Sequence, residues 1–455
     1  MSGRGLVCHL YLMLLCSTAG AAGLYQNGES QVQQAQRLTR ELTPLGAERA
    51  GNGTDIPPWR GGLSMPPLSY SGPGHARPDP FEHDVPLTRI TSSNVQHFRD
   101  VLPSGFQSLL AGADFTLSVY PSRRTAAAPN DWYEQTYLNV LQQPDRLEQM
   151  AGGVPYPMPS RGSEVLSNAT LRWQGRHYYG FERLFQVRQG GIESWPLASW
   201  SVFPWASPRQ LSWPERVAEW EQQRRESLAA SGDVFGGVPG GVPGGVSVAL
   251  WHSWRERELD GAFHQQQIIS LASTELSLKR LAEGNRPAPN ILSPTLLFGQ
   301  PEQYHWQLLG KRELLIPYNN YRLSNPESGD PTFLTAGLPD FSRVRFEKHR
   351  VWVIDGVLKG REKAVYGKQV LYIDEDSWAV VMADRYSTAG KLTSVAMALL
   401  TTAYEVPAIV AEYQLEFDRS EGEYWFHTLD DRISRSRDYS RMPVPVNSIS
   451  SSPSQ

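Results

Sequence analysis

Several groups of polar residues in this chain have types and spacing that could do chemistry. His75, Asp79, Glu82, His83 and Asp84 fall within ten residues and offer the imidazole and carboxylate donors a divalent cation takes. In a Pro-rich stretch the solvated polar cluster is the favoured reading of the two. Asp374, Glu375 and Asp376, followed by Ser377, place three carboxylates in a row, as a calcium loop would. They lie between Tyr372-Ile373 and Trp378-Ala379-Val380, so the pattern predicts a hairpin turn. Asp430-Asp431 and Glu421/Glu423 are further acid pairs. A glycosidase needs two carboxylates about 5–10 Å apart, a distance that position along the chain does not fix. Arg123-Arg124 and the run Arg343, Arg345, Lys348, Arg350 suit anionic headgroups at a cavity mouth or a solvated strand face. There is no Gly-x-Ser-x-Gly elbow, and none of the ten histidines forms a His-Glu-x-x-His or His-x-His pair. Both cysteines, Cys8 and Cys16, fall in the first sixteen residues, which leaves no thiol for catalysis, disulfides or structural zinc in the remainder. No catalytic residue, metal set or cofactor is assigned, and a non-enzymatic protein is expected.

The elements that must position these residues are mostly strands. Alternating patterns run over Ala169 to Trp173, His177 to Val187, Val246 to Trp251, Phe263 to Leu271, Tyr304 to Leu309 and Arg312 to Pro317. They continue over Phe346 to Val357, Val365 to Ile373, Ala379 to Tyr386, Leu392 to Tyr404, Ile409 to Phe417 and Tyr424 to Thr428. About twelve strands joined mostly by short turns predict a meandering antiparallel sheet, and a single sheet of that width is expected to curl. Helices are expected within Thr91 to Leu110, within Asp131 to Met150 up to Pro144, and after Ser212, where Ser212 and Glu215 form a capping-box pattern. The Pro-containing segment carrying Trp195, Trp200, Phe203, Trp205 and Trp213 shows neither strand nor helix period and reads as a lid or mouth.

Composition narrows the class. The 39 glycines and 34 prolines favour a turn-rich β protein over a helical bundle, and a net charge of −4 gives nucleic acid no electrostatic attraction. Arg4, the apolar run Leu6 to Cys16, and Ala19-Gly20-Ala21 before Ala22 read as a secretory signal peptide cleaved near Ala21. Leu15 before Cys16 argues against a lipidated cysteine. The expected location is therefore the periplasm. The organisation read from the chain is a leader over 1–21, then a Pro/Gly-rich wrapping segment with short helices over 22–160. A β-rich body follows over 161–432, interrupted by the mobile Gly/Pro loop 236–246, and a disordered tail spans 433–455.

Six ordered segments carry a family resemblance: LTPLGAERAGNGTDIPPWRGGL (Leu42 to Leu63), VYPSRRTAA (Val119 to Ala127), GGVPYPMP (Gly152 to Pro159), IPYNNYRL (Ile316 to Leu323), HRVWVIDGVLK (His349 to Lys359) and YGKQVLYIDEDSW (Tyr366 to Trp378). They resemble a large proteobacterial family of exported proteins of unknown function. That family looks like a distant branch of the outer-membrane lipoprotein-sorting (LolA/LolB-like) superfamily. The resemblance implies a mainly β (α+β) fold: a curled antiparallel sheet forming an incomplete LolA/LolB-like β-barrel, with capping helices, long insertions and an apolar cavity for acyl chains. It also implies, by analogy, association with a resistance-nodulation-division exporter and an outer-membrane protein. The region Ile268 to Pro294 departs from the family's Arg-rich, Pro-Gly-turn hairpin, so any ligand contact from that hairpin does not transfer.

The leading expectation is a periplasmic carrier or chaperone for lipid or lipoprotein acyl chains. Its apolar wall would include Trp352, Ile354, Leu371, Ile373, Val381 and Tyr413. Each methylene withdrawn from water contributes about 0.8 kcal/mol, enough for a loadable carrier without a catalytic group. The alternatives are an adaptor bridging an inner-membrane exporter to an outer-membrane protein, and a periplasmic enzyme acting on glycans or lipids.

Overall fold

The structure, a computed structural model, describes residues 30–72, 77–144, 150–175, 177–202, 247–257, 262–272, 296–299, 301–323, 333–360, 364–404 and 406–429. Alternating apolar residues build a sheet of thirteen strands among them. In chain order these are β1 (Thr88–Thr91), β2 (Thr116–Tyr120), β3 (His177–Arg188), β4 (Gly191–Val202), β5 (Ser247–Arg257), β6 (Ala262–Ala272) and β7 (Tyr304–Pro317). They continue as β8 (Arg345–Leu358), β9 (Lys368–Asp374), β10 (Val380–Tyr386), β11 (Leu392–Ala403), β12 (Ala408–Asp418) and β13 (Glu423–Leu429). Helices α1 (Gln31–Arg37), α2 (Ser104–Leu110), α3 (Asn130–Gln142) and α4 (Gly162–Thr170) join them. Among the described residues no helix is long and apolar enough to cross a membrane.

The expected curled, incomplete barrel is overturned. The hydrogen-bonded order runs β1-β2-β8-β9-β10-β11-β12-β13-β3-β4-β5-β6 without returning on itself, and the sheet is neither closed nor strongly curled. The physical reason lies at β8. One of its edges pairs antiparallel with all of β7; the other is shared between β2, parallel over Ser118–Tyr120, and β9. The sheet faces are buried by added layers: α2 packs on β10 and β11, α4 on β7 and β8, and the N-terminal segment contributes Leu45 and Trp59. A sheet covered by other elements need not close on itself to bury its apolar faces. Nor is the sheet wholly antiparallel, because β4 and β5 also run parallel.

Local departures have local causes. Tyr304 to Leu309 and Arg312 to Pro317 form one strand, with a register shift between Leu308 and Gly310, whose φ of +101° suits glycine. Ala169 to Trp173 does not form a strand; Val165, Leu166 and Ala169 lie at helical spacing and end α4. Of the residues read as a lid or mouth, Trp195 and Trp200 fall in strand β4, despite Pro196. The helix after Ser212, the leader, the loop 236–246, the tail, and Phe203, Trp205 and Trp213 lie outside the described residues. The helices expected before and after Thr116 are present: a 3-10 turn over Val95–Val101, then α2, and later α3.

Candidate functional site

Polar residues converge where β8 and the β9–β10 turn meet the N-terminal segment. Strand alternation places Glu347, His349 and Val351 on one face of β8, and Val351 pairs with Asp374 at the end of β9. The turn keeps Asp374 in place: its backbone N–H donates to Ala379, and its Oδ2 accepts from the Ser377 N–H at 3.0 Å. His349 Nε2 lies 3.1 Å from Glu347 Oε2, and His349 Nδ1 lies 3.7 Å from Asp374 Oδ1. One side-chain donor atom from each of His349, Asp374 and Asp376 falls within 4.8 Å of the others, and all three residues are buried. The Tyr318 ring stacks on the imidazole at 4.2 Å between centroids.

Two guanidiniums hold the surrounding carboxylates. Arg124 forks onto Asp376 at 2.6 and 2.8 Å and donates to the carbonyls of Glu48, Arg49, Ala50 and Pro57, fastening the N-terminal segment to the site. Arg345 donates to Glu347 at 2.5 Å and to Asp84 at 2.7 Å. Asn319 donates to Glu347 Oε1 at 3.0 Å and accepts from Thr125. Asn319 and Trp378 are two of four described non-glycine residues with left-handed φ, +56° and +61°, and both border this centre. Packing overrides their backbone preference: the Trp378 indole stacks on Trp352 at 6.0 Å and donates to the Leu45 carbonyl.

Burial pushes the Asp374 carboxyl above the usual carboxylate range, and the nearby Asp376 charge adds to it. For His349 burial favours the neutral ring, but the hydrogen bond it donates to Glu347 and the charges of Asp374, Glu347 and Asp376 outweigh it and raise its pKa. Burial first, then the surrounding carboxylates, keeps Tyr318 a phenol. The centre is thus a carboxylate-rich cluster that favours positive charge on the His349 ring.

The six apolar residues expected to line a cavity are all buried in the main core. Trp352 pairs with Ile373 and Ile354 with Leu371, so these four share one face of the sheet. Val381 sits at the register shift between Val380 and Met382. Tyr413 falls on the opposite face and stacks on Phe426 at 5.8 Å. Lys311 lies 4.6 Å over the Trp352 ring and pairs with Glu375.

The polar clusters flagged in the sequence separate. Asp79 pairs with Arg322, Asp84 with Arg123 and Arg345, and His83 is exposed beside Glu82, while His75 lies outside the described residues. The basic clusters form neither a mouth nor a solvated face, because Arg124 and Arg345 are buried in ion pairs and Lys348 reaches Asp55. Glu423 pairs with Arg188, and Asp430-Asp431 lie outside the described residues. The turn Asp374 to Ser377 is the expected hairpin, but buried rather than solvated. Sequence reasoning missed Glu347, His349, Tyr318 and Asn319 as its partners. The available signal was Arg345, Glu347 and His349 at alternate positions of one strand, opposite charges on a single face.

Together these features define a mixed α+β protein: one wide, open, mainly antiparallel sheet with a buried polar centre beneath its N-terminal wrap. The chain belongs to the family described as "Protein of unknown function (DUF1329)", whose model matches residues 89–232 and 293–446. It is 27% identical over 410 residues, 86% of each chain, to "Uncharacterized protein PA3922" of Pseudomonas aeruginosa. Among solved structures, a DUF1329 family protein from Desulfovibrio piger gives a TM-score of 0.34 at 11% identity, covering 61% of this chain and 92% of that one. A putative outer membrane lipoprotein-sorting protein domain from Vibrio parahaemolyticus gives 0.31 at 10% identity, covering 62% and 96%. A LolA superfamily protein from Nitrosomonas europaea gives 0.27 at 11%, covering 60% and 92%.

Proposed function

We propose that the protein handles a lipid, or the acyl chain of a lipoprotein, in the periplasm, holding apolar cargo without transforming it. The observation that supports this reading is the register of the ribbon β4–β5–β6 at the far end of the sheet. It aligns Leu197 with Val248 and Leu271, and Trp200 with Trp251 and Ile268. Apolar residue types thus occupy both alternations of the ribbon, and a sheet of that composition calls for apolar cover on both faces. An acyl chain supplies such cover at about 0.8 kcal/mol per buried methylene, less the cost of ordering it. The leader-like segment from Arg4 to Ala21 supports a periplasmic location. In this reading Trp352, Ile354, Leu371 and Ile373 form the packed continuation of one apolar layer, with Val381 at its bulge, and Tyr413 belongs to the other. Docking to an exporter and an outer-membrane protein would serve delivery.

Native mass spectrometry with organic extraction, on protein purified from its own compartment without detergent, tests the reading. A discrete adduct of lipid mass is expected. A clean apo mass, unchanged when phospholipid or a triacylated lipopeptide is added, overturns it.

A further inference from the structure

The buried polar centre contains a carboxylate oxygen that its surroundings leave unanswered. Asp374 is fully buried, and its Oδ1 has no hydrogen-bond partner. It faces His349 Nδ1 at 3.7 Å, beyond hydrogen-bond reach. Were Nδ1 protonated and bonded to Asp374, a charge-assisted contact of about 2.7–2.9 Å would be expected. On the ring's other side, Nε2 lies 3.1 Å from Glu347 Oε2, so the tautomer with its proton on Nε2 donates to Glu347. In that neutral tautomer the Nδ1 lone pair is directed at the Asp374 side of the centre, where a cation would take the place of the proton that the carboxylates otherwise favour. A histidine oriented by a carboxylate through one ring nitrogen and free at the other is the arrangement that metal-ligating imidazoles adopt. Asp376 adds a third donor within the same 4.8 Å, and its fork with Arg124 leaves further lone pairs on each oxygen.

We propose that His349 Nδ1, Asp374 and Asp376 form a buried binding site for a divalent first-row cation of the zinc class, with Glu347 as the positioning residue for the imidazole. One imidazole nitrogen and two carboxylate oxygens match zinc or manganese, and none of the described residues is a cysteine that would draw softer ions. Zinc bonds of about 2.0–2.2 Å place neighbouring tetrahedral ligand atoms about 3.3–3.6 Å apart, so the 3.7 Å between Nδ1 and Oδ1 closes by a few tenths of an ångström. Charge favours the ion as well. Glu347, Asp374 and Asp376 are opposed nearby by Arg124 and Arg345, and the carboxylates are in excess. Because Arg124 also carries the N-terminal carbonyls, a cation at this point braces the N-terminal wrap onto the sheet. The proposal is independent of the lipid reading, and either stands or falls without the other.

The test uses untagged full-length protein, stripped with chelator and titrated with Zn2+, then with Mn2+. The expected result is about one zinc per chain retained after dialysis, with a raised melting temperature. His349→Gln should lose the zinc, whereas His83→Ala, at an exposed position, should keep it. Should His349→Gln fail to fold, wild-type protein gives the decisive readout. In 1H-15N correlation spectra of the histidine side chains, added Zn2+ should shift His349 Nδ1 while Nε2 keeps its proton. No zinc above background, zinc retained in folded His349→Gln, or a His349 ring protonated on both nitrogens and unmoved by Zn2+ would each overturn the proposal.

Discussion

Two carboxylates of one hairpin, Asp374 and Asp384, are equally buried and do different work. Each has one oxygen, Oδ1, without a hydrogen-bond partner, and burial raises the pKa of both. Asp384 Oδ2 accepts from the Gly105 N–H at 2.9 Å, Tyr372 Oη at 2.9 Å and Ser104 Oγ at 3.2 Å, which pins the start of α2 to the sheet. Its Oδ1 rests against Gly105, 1.9 Å from where a Cβ would stand, and among the described residues Asp384 belongs to no cluster of metal-ligating side chains. The spare oxygen of Asp374 instead faces an imidazole, with Asp376 alongside and Glu347 behind. Burial alone therefore does not mark a binding centre; what surrounds the spare oxygen does.

The comparison breaks most severely at Arg124. Arg124→Met leaves Asp376 buried without its counter-ion and frees four N-terminal carbonyls, and should cost about 3–5 kcal/mol. Urea unfolding would read the cost, and limited proteolysis should cut first between residues 41 and 59. On the Asp384 side, Gly105→Ala drives a methyl into a carboxylate held by three donors, with an expected loss of about 1–3 kcal/mol in the same assay.

Titration sharpens the contrast. The Asp384 carboxyl is raised chiefly by burial, so its stabilising contribution is complete below the ordinary value of 3.8 and is lost as pH rises through the higher folded value. Asp384→Asn removes that dependence, and its disadvantage against wild type should shrink as unfolding is measured from pH 3.5 towards pH 7. Asp84 behaves oppositely. Burial would raise it, but the hydrogen bonds and charges of Arg123 and Arg345 prevail and hold it below 3.8. Its contribution is present above 3.8 and disappears as pH falls through the depressed folded value. Asp84→Asn should cost about 1 kcal/mol at pH 7, since Arg123 is partly solvated, and nothing in strong acid. The smallest effect belongs to the partly exposed pair Lys348–Asp55, where Lys348→Ala should change stability by about 0.5 kcal/mol or less, and less still in high salt.

Much of the strand pattern was legible in the sequence, for a physical reason. From Phe346 to Thr428 the strands are joined by short turns and alternate regularly, so local spacing carried most of the information. Strand β4 was hidden because Pro196 and its tryptophans mask the period, and β1 and β2 because each is very short. The open edge was illegible because closure depends on which strands pair at a distance. The parallel contact of β2 with β8 spans only three residue pairs, separated by more than two hundred positions in the chain. The turn at Asp374–Ser377 was readable, but its burial was not. Tyr318, Arg124 and the 347–349 segment cover it from three remote parts of the chain, and no local window contains them.

The most direct test is anomalous diffraction from crystals of the untagged protein grown with Zn2+ or Mn2+. The account predicts a peak about 2.0–2.2 Å from both His349 Nδ1 and Asp374 Oδ1, with none beside Asp384. A map without a peak at His349, with Nδ1 drawn to Asp374 at about 2.8 Å, would contradict it and leave the centre a buried ion pair.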